Sequence, residues 1–344
     1  TFAAEAVTVR AQIKDAVTPR SALLVLATLG LGIGFILSYV GGLHHPTPRD
    51  LPFDIVAPAQ IQAQTVSGLS RLPGHPLTPR LVTDAPTARA RVADRTSTGA
   101  LVLDPSGTTD TLYVASAAGP SISNALTTII RSAEARQQRT VEVRDLVPVA
   151  AQDSGGLGSF YLAVGWTVAG YLIASILGVS AGQRSNRLGP ATLARAVIRL
   201  IALGLCAIVA GIVGAWLVQH VLGAAPGPFW PLAGVGALVV FGAGAVTTAL
   251  QTAFGVAGIG LAVLLFVILG NPSAGGAYAR ALLPPFWRAI GAFFPPGAGT
   301  DAARSISYFN GARTAEPLFI LACYAVVGLL ATLALVVVLR PRST

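Results

Sequence analysis

The stretch GLAVLLFVILGNPSAGG (260–276) carries an unbroken apolar run into an Asn-Pro pair and then into small, polar, glycine-rich chain. Three local structures fit it: a phosphate-binding loop, an ordinary turn outside a membrane, and chain folded back against a bilayer. A phosphate loop of the G-x-x-x-x-G-K-[ST] type needs a lysine to reach the terminal phosphates. The only lysine is Lys14, far from this stretch. The choice between the other two depends on what surrounds it.

Of 344 residues, 53% are apolar and only 11% charged, with a mean hydropathy of +0.68. Soluble domains carry about 25% charged residues. Too few charges remain to solvate a globule of this size, which excludes a soluble enzyme and indicates an integral membrane protein. Cys206 and Cys323 lie in apolar runs and read as small buried hydrophobes, not as a disulfide or metal pair. The chain begins at Thr1 and contains no methionine, so its natural N-terminus is expected to lie further upstream.

A helix crossing a hydrocarbon core of about 30 Å needs about 20 apolar residues. Six runs are long enough or nearly so: 21–41, 158–180, 200–222, 230–250, the short 254–270, and 318–339. None holds an Asp, Glu, Lys or Arg. The first has no A-x-A cleavage pattern in LSYVGGLHHP (37–46) and reads as an uncleaved anchor. Loop 181–199 carries Arg184, Arg187, Arg195 and Arg199 without an acid, and the tail 340–344 adds Arg340 and Arg342. In 42–157, ten arginines meet ten acids. The positive-inside rule therefore places both termini in the cytoplasm and 42–157 outside. The net charge of +9 is then mainly a topology signal, with membrane lipids as its partner and no nucleic acid implied.

Segment 42–157 has strand-like runs at DIVAP (54–58), RLVTD (80–84), GALVLD (99–104), TLYVAS (111–116) and TVEVRDLVPV (140–149). Helix-like stretches at 59–70, 85–95 and 120–138 alternate with them. The order predicts an α/β sandwich with a mixed sheet. GPSISNA (119–125) opens a helix through Gly, Pro and Ser, either as an ordinary start or as an anion-holding one. No catalytic set, metal-ligand spacing or cofactor motif stands out, so neither catalysis nor a cofactor is expected from this chain.

The spans hold only weakly polar groups, which argues against a proton relay. With no ATPase motif in the chain, transport would need a separate ATP-hydrolysing subunit. Gly30 and Gly34, and the group Gly255, Gly258 and Gly260, allow close helix approach within the bundle or in a dimer. Phe2, Ala6, Val9, Ile13 and Val17 recur at helical spacing, predicting a cytoplasmic amphipathic helix in 1–20. That helix and the basic loop 181–199 either anchor on lipid or dock a cytosolic partner.

Residues 271–316 are unlike ordinary loop. Pro284-Pro285 and Pro295-Pro296 bracket FWRAIGAFF (286–294), where Phe286, Trp287, Ile290, Phe293 and Phe294 share one helical face. That predicts an interfacial helix. A second helix is expected from Asp301, as N-cap, to Phe309, with Asn310-Gly311 ending it. Asn271 is expected to cap the span before it, and Pro272 to bar its continuation.

LPFDIVAPAQ (51–60), GGLGSFYLAVGWTVAGYL (155–172) and LGNPSAGGAYARALLPPFWRAIGAFFPPGAGTDAARSISYF (269–309) give the chain a resemblance to the YhgE/Pip-like membrane proteins of Gram-positive bacteria. These belong to the wider group of type-2 ABC exporter permeases. The resemblance implies a six-helix transmembrane permease with an inserted extracytoplasmic α/β domain, in a bacterial plasma membrane, as a homodimer or hetero-oligomer. It implies that Arg184, Arg187, Arg195 and Arg199 touch a cytosolic ATP-binding subunit. It also makes 271–309 a re-entrant cap or gate, including Asn271, Pro272, Phe286, Trp287, Phe293, Phe294, Pro295, Pro296 and Asp301. Some relatives act as receptors or secretion components, so a non-transporting scaffold binding another envelope protein is the alternative function.

Overall fold

The computed structural model describes residues 18–188 and 193–339. The amphipathic helix expected before residue 18 and the tail 340–344 lie outside them.

The first helix, α1 (Pro19–Leu43), starts where Thr18 Oγ1 accepts the N–H of Ser21 at 3.1 Å and Pro19 supplies a pre-set φ. There follow β1 (Leu51–Val56), α2 (Gln62–Ser70), β2 (Leu77–Leu81), α3 (Ala85–Ala93), β3 (Gly99–Val102), β4 (Thr109–Val114), α4 (Pro120–Ala135) and β5 (Thr140–Asp145). The sheet order is β2-β1-β3-β4-β5, parallel except for the β3/β4 hairpin. The first two strands begin three residues earlier than their sequence signals. Pro52 and Pro79 mask them, and Pro79 is tolerated because β2 is an edge strand.

Helices α2 and α4 cover one sheet face over Leu51, Phe53, Ile55, Leu101 and Leu112; α3 covers the other over Ala100 and Tyr113. Two buried carboxylates sit inside this unit. Asp54 receives Arg91 Nε at 2.6 Å, and Asp110 is held by Arg139 through Nε and Nη2, both at 2.6 Å. Such pairing offsets the cost of removing a carboxylate from water.

The rest is helical: α5 (Gly158–Leu188), α6 (Leu193–Trp216) with a π-helical extension Leu217–Val221, α7 (Phe229–Phe254), α8 (Ala257–Ser273), α9 (Pro285–Ile290), α10 (Pro295–Tyr308) and α11 (Ala315–Val338). Among the described residues, five helices are long and apolar enough to cross a membrane: α1, α5, α6 with its extension, α7 and α11. The sixth expected crossing, 254–270, is instead the 17-residue helix α8, about 25 Å at 1.5 Å per residue. The expected connector 251–253 is the last turn of α7. The reversal comes at Gly255, whose φ of +59° suits glycine. Most of the expected loop 181–199 is helical: α5 continues to Leu188 and α6 begins at Leu193, with 189–192 outside the described residues.

Lipid tails are as apolar as leucine, so tight packing and not water exclusion holds such helices together. Accordingly α7, buried along 72% of its most apolar 18-residue stretch, is rich in Gly and Ala and lies between α5, α6 and α11. The Trp166 indole fills a slot that only glycine leaves open. A Cβ would stand 2.4 Å from it at both Gly214 and Gly236. Its Nε1–H donates to Ala210 O at 3.0 Å. The five singled-out glycines behave differently from one another, and a Cβ on Gly260 would lie 3.8 Å from Leu31. Gly34 touches Ile268, Gly258 lies against the Leu250 carbonyl, Gly255 makes the turn, and Gly30 meets nothing. Cys206 is exposed on α6 and faces outward, so it is not a core residue; Cys323 is half-buried.

Candidate functional site at the junction of bundle and α/β unit

The segment from α8 to α11 is built into both halves of the molecule. It starts with an irregular helix. Leu264–Gly270 of α8 is π-helical, and the helix runs through Asn271 and Pro272 to Ser273. Pro272 therefore does not stop it at 271, and Asn271 is not its cap. The widened turn absorbs the proline. Pro272 has no N–H to offer the Ile268 carbonyl, and the hydroxyl of Ser38 on α1 donates to that carbonyl instead. Ser273 Oγ donates back to Leu269 O at 2.6 Å.

The chain then reverses at Gly275, with φ +77°, and enters the α/β unit. Ala279 and Leu282 join the core beneath α2 and α4. The Ala279 N–H donates to Ser121 Oγ at 3.0 Å, and the Thr47 N–H donates to Leu282 O at 2.9 Å. The start of α4, weighed above as an anion site, is thus covered by the protein's own backbone.

Helix α9 divides the aromatic face that the sequence joins. Phe286 and Phe293 are 58% and 62% exposed. Trp287 is half-buried and rests against Gly42 of α1, with ring atoms 3.5 Å from where a Cβ would be. Two backbone contacts then fold the segment shut. A Cβ on Gly291 would stand 2.0 Å from Ser273 O, and one on Gly297 1.9 Å from Gly291 O.

Helix α10 starts at Pro295-Pro296, six residues before the expected N-cap Asp301, with Phe294 in extended conformation as its actual cap. Small residues let it pass between α5, α7 and α11 with nearly every side chain buried. Gly299 sits against Ala163 and Val239, the latter about 15 Å along α7 from its first residue. The helix ends as the sequence predicts: Asn310 and Gly311 take positive φ, and the Gly311 N–H reaches back to Ser305 O at 2.9 Å. Phe309 returns to the α/β unit under α3, on the sheet face opposite Ala279. The segment therefore grips the sheet from both sides.

Asp301 lies in mid-helix, surrounded by guanidiniums. Arg280 Nη1 approaches Oδ2 at 2.7 Å, and Arg95, just beyond the end of α3, approaches Oδ1 at 3.5 Å while also donating to Ser305 Oγ. Burial alone would raise the Asp301 pKa, but Arg280, Arg95 and Arg304 together hold it below the usual carboxylate range. Arg304 is 4% exposed, and burial lowers its pKa to about 10, so it stays cationic at neutral pH. Tyr308 Oη accepts the Ala150 N–H at 3.4 Å and lies 3.2 Å from Ala224 O, tying α10 to the loops before α5 and α7. Among the described residues, no group of three His, Cys, Asp or Glu is placed to hold a metal.

The basic residues lie at the other end of the bundle. Arg184 and Arg187 fall in the last turns of α5, where side chains lie outside the description. Arg195 and Arg199 open α6, and Arg199 turns inward, its Nη2 3.3 Å from Gly178 O. Arg95, Arg280 and Arg304 are not singled out by the sequence reading, although a lone arginine inside an apolar stretch, as in AYARALL around Arg280, is a signal of function.

The family model for ABC-2 family transporter proteins matches residues 21–334, nearly the whole described chain. No curated protein matches the sequence. With its apolar helices and this extent of match, the chain belongs to the ABC-2 transporter family, as a multi-pass membrane permease of a kind generally not itself catalytic and usually served by an ATP-binding partner.

Proposed function

We propose that this chain is the membrane subunit of a YhgE/Pip-like exporter for a hydrophobic or amphipathic compound, driven by a separate ATP-hydrolysing subunit. In this reading the α/β unit is extracytoplasmic in a bacterial plasma membrane, both termini are cytoplasmic, and segment 271–309 is a re-entrant gate. The junction segment carries the proposal. It contributes Ala279, Leu282 and Phe309 to the α/β cores and Ala298, Ala302 and Ala303 to the bundle core. Helix movement in the bundle is thereby passed to the α/β unit without a flexible linker. Helix α1 is buried over only 6% of its most apolar 18-residue stretch, which suits a second copy or another helical subunit packing there. Arg184, Arg187 and Arg195 supply positive charge for docking the ATP-binding subunit at the opposite end.

Tagged protein purified in mild detergent should bring down a stoichiometric ATPase. Arg184→Glu with Arg187→Glu should release it while leaving the thermal midpoint of the chain unchanged. If no ATPase co-purifies and the double variant leaves the set of bound proteins unaltered, the exporter reading fails in favour of the non-transporting scaffold.

A further inference from the structure

The junction holds more positive charge than its own acids neutralise. A cleft of about 280 Å³ between the α/β unit and the junction segment is lined by Arg95, Arg280, Arg288 and Arg304, with Asp301 the only acid in its wall. A further carboxylate that acts on Arg304, Asp153, is engaged by the N–H groups of Leu157 and Gly158 at 2.9 Å. On the other side of the Arg95–Asp301–Arg280 clasp lies a second cleft of about 180 Å³, whose wall adds Arg313 and Glu316, one charge of each sign. The first cleft is therefore left with an excess of about three positive charges, one of them on the buried Arg304.

Burying unpaired charge is costly, and a guanidinium's five N–H donors are satisfied best by the forked oxygens of an anion. Within the protein these four arginines donate to Asp301, Ser305, the Gly275 carbonyl at 3.4 Å and the Arg49 carbonyl at 3.3 Å. Those bonds use only a fraction of their donors. A single carboxylate would neutralise one charge. A phosphate group brings up to two negative charges and several acceptor oxygens, matching the convergence better. Apolar neighbours complete the surroundings: Val92, Ile122 and Ala281 line the same cleft, and Ala292 and Ile320 line the second one.

We propose that this cleft binds a phosphate group, borne by a lipid headgroup or by a soluble phosphate, through Arg280, Arg288, Arg304 and Arg95. This holds whether or not the chain exports anything, because the site is complete within one chain.

The test uses the full chain, stripped of lipid in maltoside micelles, with the thermal midpoint as readout. Three additions are compared at constant ionic strength: phosphatidylglycerol, inorganic phosphate and chloride. The expected result is a saturable rise in midpoint beyond the chloride control. A rise with phosphatidylglycerol alone identifies a lipid headgroup; an equal rise with inorganic phosphate identifies a soluble ligand. Arg288→Gln, outside the Asp301 clasp, and Arg304→Gln should each weaken the response tenfold or more, whereas Arg80→Gln on the exposed edge strand should leave it intact. If Arg304→Gln does not fold, Arg288→Gln decides alone. The proposal is overturned if neither phosphate source exceeds chloride, or if the arginine variants that fold respond like the wild type.

Discussion

Arg280 Nη1 and Asp301 Oδ2 meet at 2.7 Å, and this contact holds the short 3-10 turn Arg280–Leu282 of the junction segment to the middle of α10. Arg95 reaches the same carboxylate from the α/β unit, so one acid joins three parts of the chain. The pair is mostly screened from solvent, where removing one partner leaves the other charged and unmatched.

Asp301→Asn is accordingly expected to cost about 3 kcal/mol and to lower the thermal midpoint of the purified chain by several degrees. The guanidiniums depress the Asp301 pKa in the folded state. Its stabilising contribution is thus complete above about pH 4 and is lost as pH falls below that. A variant as stable as wild type at pH 7 would show that the clasp contributes nothing.

Gly291→Ala and Gly297→Ala are expected to prevent the junction segment from closing, because the added methyl meets backbone, which cannot rotate aside. Size-exclusion profiles of both should show aggregated or absent protein. Gly30→Ala meets nothing and removes a helix-weakening glycine, so its yield should equal or exceed wild type. Equal yields from all three would contradict the close approach.

Ser38→Ala removes the donor to the Ile268 carbonyl, which Pro272 cannot replace. The expected loss is about 1 kcal/mol, with α1 loosened from α8. Increased hydrogen exchange confined to 264–273 would report it; unchanged exchange there would assign the bond no role.

Glu134 offers a pH test in the α/β unit. Burial first, and then the charge of Asp110, raises its pKa from 4.5 to about 7 against the pull of Arg139. Between those values the folded state binds the proton and the unfolded state does not. Stability should therefore be highest below about pH 4.5 as far as this group is concerned, fall as pH rises to about 7, and level off above. Glu134→Gln should flatten that slope in melts of the full chain between pH 5 and 7. A slope identical in both proteins would locate the dependence elsewhere.

Much of the architecture is legible in the sequence because it rests on short-range rules. Long apolar runs without charge mark α1, α5, α6, α7 and α11 by length alone. Alternation and turn residues give the order of strands and helices in the α/β unit, and Asn310-Gly311 marks the end of α10. The misreadings in the junction segment lie where a distant residue changes the local rule. Pro272 would stop an isolated helix, but a π turn and Ser38 accommodate it. Asp301 has the chemistry of an N-cap, but Pro295-Pro296 start the helix earlier and Arg280 and Arg95 claim its carboxylate. The four aromatics and Ile290 of FWRAIGAFF share a face in projection, yet Gly42 on α1 draws Trp287 inward. By itself the sequence determined five long apolar helices, the α/β insertion and the unusual character of 271–316. Only the tertiary structure decided that this segment completes two cores at once and gathers four arginines around one acid, because those contacts join residues up to about two hundred positions apart, beyond the reach of any local pattern.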